Sequence, residues 1–186
     1  MPYTLKPGDA LIVVDVQKDY CPGGPLPVEN AQAVMAALNG WIEEALARKV
    51  PVYLSRDWHP RGHISFRKRG GPWPPHCLQG SDGARFHPQL LLSDSCHIVT
   101  KGMDPDREQS SPFDGTGLAD QLRQEGVKRL WIGGLSKGLG VSTTALDGCR
   151  EGFEVILIAD ATRPNLSWSI ERAPVESPVS WMEHTA

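Results

Sequence analysis

"KRLWIGGLSKGLGVSTTALDGCREGFEVILIAD" (Lys128 to Asp160) is the stretch that decides the fold. "KRLWIGG" is apolar and short, as a buried strand is. "GGLSKGLG" (Gly133 to Gly140) is a glycine-rich turn. "VSTTALDGCREG" (Val141 to Gly152) reads as a helix and "FEVILIAD" (Phe153 to Asp160) as the next strand. Strand, turn, helix, strand is the repeating unit of a parallel sheet, whose strands are buried on both faces and so lack polar alternation. The turn also sets a question of function. Backbone N–H groups at a helix start can meet an anion or an oxyanion. The turn could cradle a phosphate, hold a nucleophile, or only reverse the chain.

The same rhythm runs through the rest of the sequence. "DALIVVDVQ" (Asp9 to Gln17), "VPVYLSRD" (Val50 to Asp57) and "DSCHIVTK" (Asp94 to Lys101) read as three more strands. "AQAVMAALNGWIEEALARK" (Ala31 to Lys49) and "LADQLRQEGV" (Leu118 to Val127) have the apolar spacing of helices. The expectation is an α/β fold: an open, mainly parallel sheet with helices on both faces. The 186 residues suffice for one domain, drawn here as 1–163. The tail 164–186 departs from the rhythm. With "TRPNLSWSIERAPVESPVSWMEHTA" it has three prolines and no convincing helix or strand. A C-terminal helix and edge strand are therefore expected to be atypical or missing.

Bulk properties narrow the function. A net charge of -3 gives no reason to expect nucleic acid or an anionic membrane as partner. No apolar run approaches the roughly 20 residues of a membrane span. "MPYTLKPGDA" lacks the basic-then-apolar pattern of a signal peptide, which points to the cytoplasm. Cys21, Cys77, Cys96 and Cys149 form no CxxC pair and read as free thiols.

Ligands of such sheets bind at the carboxyl ends of the strands. Asp15 ends strand one, Asp57 and His59 follow strand two, Lys101 ends strand three, and the glycine turn follows strand four. The long Gly-, Pro- and His-rich segment Trp58 to Pro88 adds His63 and His76. One carboxylate with two or three imidazoles suits a divalent metal: zinc, iron or manganese. Cys77 beside His76 reads as a packed thiol rather than a ligand, and His87, His97 and His184 as caps or solvated side chains. Asp15 and Lys101, on neighbouring strand ends, fit a buried pair tuned for proton transfer. "GGLSKGLG" does not complete GxxxxGK[ST], and Gly138-Leu139-Gly140 lacks the third glycine of GxGxxG, so a nucleotide-binding module is disfavoured. Ser136 or Ser142 as a nucleophile would need a base that the turn does not contain.

Together, "DVQKDYCPGG", "SRDWHPRGHISF", "GGPWPPHCLQGSDGARFHP", "TKGMDPDRE" with "SPFDGTGL", and "TTALDGCREGFEV" resemble the nicotinamidase branch of the isochorismatase-like cysteine hydrolases, over Asp9 to Arg163. The resemblance implies hydrolysis of nicotinamide to nicotinate and ammonia, by a triad of Asp, Lys and Cys. It places Asp15 and Lys101 in that triad. It assigns Asp57, His59 and His76 to a metal, with zinc first, and His63 as a ligand in some members. Tyr20 and Trp73 match positions lining the ring pocket, and backbone N–H groups of Ser136 and Gly140 match the oxyanion hole. The family's nucleophile turn typically reads G-L-A-T-D-Y-C-V. Here it reads Gly134-Leu135-Ser136-Lys137-Gly138-Leu139-Gly140-Val141, so Gly140 occupies the cysteine position. The implied amidase is then inactive or strongly impaired. Its rivals are a non-catalytic protein binding metal and a small aromatic ligand, and a residual enzyme using metal hydroxide or a displaced cysteine. The partner is a small aromatic amide such as nicotinamide, and the chain is compatible with a homo-oligomer.

Overall fold

The structure, a computed structural model, describes residues 4–135 and 140–163, together with the backbone of Val179–Met182. Six parallel strands form one sheet: β1 (Asp9–Val14), β2 (Val52–Asp57), β3 (His97–Lys101), β4 (Arg129–Leu135), β5 (Glu154–Arg163) and β6 (Val179–Met182). Their order is β3-β2-β1-β4-β5-β6. The direction of winding reverses between β1 and β4, and a crevice opens at such a reversal.

Among the described residues, three α-helices cover the sheet: α1 (Met35–Ala47), α2 (Leu118–Gln124) and α3 (Gly140–Arg150). The period of two along β1 sorts the core onto two faces. Leu11 and Val13 pack with Leu38, Trp41 and Ile42 of α1. Ala10, Ile12 and Val14 pack with Leu118 and Leu122 of α2 and with Val141 and Ala145 of α3. The helices thus lie on both faces, as the patterning predicts. None among the described residues is long and apolar enough to cross a membrane.

Several boundaries differ from the sequence reading for local reasons. β1 stops at Val14 because Asp15 takes φ +50, a left-handed conformation that Asp tolerates better than most residues. The helix expected from Ala31 opens with a 3-10 turn (Ala31–Val34) after left-handed Asn30. β3 starts only at His97. Gly133 and Gly134 serve close approach between strands. A Cβ on Gly134, at φ +129, would lie 2.3 Å from the Val14 carbonyl oxygen. The tail, expected to hold no strand, supplies β6, which pairs with β5 from Val155↔Val179 to Ile158↔Met182. An edge strand is therefore present but short, four residues beside the ten of β5. "VSWM" is too brief to register as a periodic pattern. The other tail residues, and Ser136 with its expected oxyanion-hole role, lie outside the described residues.

Candidate active site

β1, β2 and β3 end side by side, and each end delivers one ionisable group. Lys101 is only 2% exposed. Its Nζ stands 2.8 Å from Asp15 Oδ2 and 2.6 Å from Asp57 Oδ1. Burying an ammonium is tolerable only with such partners. Ser55 Oγ donates to Asp15 Oδ1 at 2.6 Å, and Tyr20 donates its hydroxyl to Asp57 Oδ2. Gln17 clamps the two peptides that flank the Asp57 Cα: its Oε1 accepts from the Asp57 N–H and its Nε2 donates to the Asp57 carbonyl, each at 2.8 Å.

The two carboxylates differ in environment. Burial raises Asp15 to about 6, against the opposing pull of Lys101. Burial also works against the charge on Asp57, but Lys101, His59 and the Tyr20 hydrogen bond outweigh it and hold the group at about 2. Lys101 loses charge stability to burial and regains more from Asp15 and Asp57, so it stays protonated. At neutral pH the trio carries one net negative charge, which a divalent cation beside Asp57 would offset.

Such a site is built there. Ligand atoms of Asp57, His59 and His76 lie within 4.8 Å of one another, and all three residues are buried. His59 Nδ1 donates to the Gly102 carbonyl at 2.9 Å and His76 Nδ1 to the Pro74 carbonyl at 2.8 Å. Each ring therefore presents a bare Nε2, the arrangement a metal needs. Burial pushes His59 down to about 4 and lowers His76, so both rings are neutral ligands at pH 7. One carboxylate oxygen with two imidazole nitrogens fits zinc, iron or manganese.

His63 stays outside this group. Its Nε2–H donates to the Arg107 carbonyl at 3.1 Å, and its Nδ1 accepts from Ser65 Oγ at 2.7 Å. Both nitrogens are engaged, and the ring packs 4.1 Å from that of His59. Cys77 also stays outside this group. It is fully buried, its N–H donates to Asp19 Oδ2 at 2.7 Å, and burial together with Asp57, Asp19 and Asp15 pushes its thiol far up. His97 stacks on Tyr53 at the open edge of β3, and His87 Nδ1 accepts from the Gln89 N–H.

A cavity of about 300 Å³ unites the site. Asp15, Lys101, Asp57, His59, His76, Tyr20, Trp73 and Gly140 all line it. Sequence reasoning missed the other six lining residues, Leu26, Pro72, Glu108, Gln109, Ser110 and Leu135. It also missed Asp19, which ties three loops together: its N–H donates to Gly83, its carbonyl accepts from Leu26 and its carboxylate from Cys77. The aspartates of polar loops carry no periodic signal, although Asp19 stands inside "DVQKDYCPGG".

No cysteine lines this cavity. Burial lifts Cys21 to about 11 and also raises Cys149. Cys149 lies at the far end of α3, nine residues from Gly140, or ~13 Å along the axis.

The buried Asp–Lys pair and the carboxylate–imidazole cluster stand together at the reversal of a doubly wound sheet, the place where folds of this class bind small ligands. Residues 9–164 match the isochorismatase domain, and the chain belongs to that family. The proteins it is similar to include nicotinamidases and pyrazinamidases. A nicotinamidase of Escherichia coli is 31% identical over 201 residues, covering 97% of this chain and 92% of its own. The pyrazinamidase of Pyrococcus horikoshii, solved in complex with zinc, is 41% identical, with a TM-score of 0.87 over 95% of this chain and 99% of its own. PnC1 from L. infantum, solved with nicotinate, is 32% identical, with a TM-score of 0.85 over 98% and 96%.

Proposed function

We propose that this chain is a nicotinamidase-type site that keeps its binding groups and lacks its nucleophile. The observation that carries this reading is Gly140, which lines the cavity with Asp15 and Lys101 at the position the resemblance gives to cysteine. In the family reaction the thiol gives its proton to the aspartate, and the thiolate attacks the amide carbon. The tetrahedral intermediate expels ammonia, and water releases the acid from the thioester. Asp15, raised by burial, is suited to take that proton. Lys101 would stabilise the thiolate, and Tyr20 and Trp73 flank a planar ring. Glycine has neither a proton to give nor an atom to attack with. Asp57, His59 and His76 would hold a divalent ion, zinc first, which supplies a Lewis-acid contact to an electron-pair donor of the ligand. The protein then binds a nicotinamide-like compound without hydrolysing it at a useful rate.

The test is ammonia release from nicotinamide by the zinc-loaded protein and by Gly140→Cys. The wild type should stay at background and the variant should gain turnover. Normal turnover by the wild type, unchanged in Gly140→Cys, overturns the reading. Metal analysis of Asp57→Ala and His59→Ala tests the ligand set; both should lose the ion.

A further inference from the structure

Beneath the metal ligands runs a chain of hydrogen bonds that begins in the loop after β3. The Asp114 carbonyl accepts from Gln109 Nε2 at 2.6 Å. Gln109 Oε1 accepts from the Gly102 N–H at 3.0 Å. The Gly102 carbonyl then accepts from His59 Nδ1. Each link has a fixed polarity, because a peptide carbonyl only accepts and a peptide N–H only donates. Gly102 touches the ring so closely that a Cβ there would lie 2.4 Å from His59 Cε1. The peptide after Gly102 carries that carbonyl and cannot rotate without moving or releasing the imidazole. The Gly102 N–H, on the preceding peptide, is held by the Gln109 side chain, which also lines the ligand cavity.

We propose that Gln109 is a positioning residue for the metal centre: its side-chain amide anchors the Gly102 backbone through its N–H, and so places the Gly102 carbonyl that orients His59 with Nε2 facing Asp57 and His76. The proposal rests on the reading of His59 as a metal ligand. Gln109 is half-buried and bonds at both ends of its amide, so its two natural replacements fail differently. Gln109→Met keeps the length and loses both bonds. Gln109→Glu keeps the acceptor toward Gly102 but sets a carboxylate oxygen against the Asp114 carbonyl. Partners that orient a ligating histidine typically account for 10–100-fold in metal affinity.

The test strips the full-length protein of metal and titrates it with Co²⁺, reading affinity and the visible ligand-field spectrum. His59→Ala serves as the reference, and thermal melts in chelator report fold stability separately. Gln109→Met should bind Co²⁺ at least ~10-fold more weakly than wild type, with a shifted visible band, and Gln109→Glu should move in the same direction. A purely structural role would lower the melting temperature and leave the spectrum of the loaded protein unchanged. Wild-type affinity and a superimposable spectrum in Gln109→Met overturn the proposal while the metal reading stands. If His59→Ala binds Co²⁺ as the wild type does, the metal reading fails and takes the proposal with it.

Discussion

Replacing Lys101 with Met tests the electrostatic centre of the molecule. Methionine matches the length of the lysine stem and removes the ammonium. Two buried carboxylates, 2.8 and 2.6 Å from that charge in the wild type, then lose their counter-ion. Breaking a buried pair from one side costs about 3–5 kcal/mol, a large part of the ~5–15 kcal/mol that holds a domain folded. For a chain of this size each kcal/mol moves the midpoint by about 2–4 °C, so Lys101→Met should melt roughly 6–20 °C lower. The assay is calorimetry at pH 8 in chelator, so that no bound metal compensates. The sign of the pH dependence follows from Asp15. Its folded-state value is raised to about 6, above that of the unfolded chain, so its burial weighs on the fold increasingly as pH rises through that value. The deficit should shrink at pH 5, where Asp15 takes up a proton. Lys101→Met/Asp15→Asn should recover part of the loss at pH 8. A melt within about 2 °C of wild type at pH 8 refutes the argument, because that equals less than 1 kcal/mol.

Two further substitutions separate stability from the site. Asp9 starts β1, at the opposite end of the strands from the site, where its carboxylate accepts from Arg129 Nε at 2.9 Å, Arg129 Nη2 at 2.8 Å and Trp131 Nε1 at 3.1 Å. Asp9→Ala should cost about 2–3 kcal/mol in chemical denaturation and leave zinc affinity by calorimetry unchanged. Gly83→Ala acts on the site instead: its Cβ would fall 2.0 Å from Asp19 Oδ1 and drive that carboxylate off the Cys77 N–H beside His76. Zinc affinity should drop ~10-fold, and the loss should be less than additive with that of Asp19→Ala, measured as a double-mutant cycle.

Much of this was legible because the chemistry and the fold share one device. β1, β2, β4 and β5 are apolar runs buried on both faces, so each run announced a strand and its end announced a site position. Asp15 and Asp57 stand at two such ends, and Lys101 ends β3, an edge strand that is buried only at the lysine itself. His59 and His76 declared themselves by residue type within one long loop. His63 looked the same in sequence. Only the geometry shows its two nitrogens turned to Arg107 and Ser65. Gln17 and Asp19 act through backbone partners far along the chain, and Gln109 through backbone groups of its own irregular loop, Gly102 and Asp114; neither kind of pairing leaves a periodic pattern. The strand β6 escaped notice because four residues after a proline give too short a period to read.

The strand order places the parts of the site in different halves of the polypeptide. Asp15, Tyr20, Asp57, His59, His76 and Lys101 all precede residue 102 and sit on the β3-β2-β1 side. Gly140 belongs to the half that joins later through β4. During synthesis the ion-binding cluster and its lysine are thus complete in the emerged chain before the turn bearing Gly140 leaves the ribosome. In descent the same division makes reactivity and recognition separable traits. A lineage can lose the first by a change in one half while the other half, untouched, continues to be inherited whole.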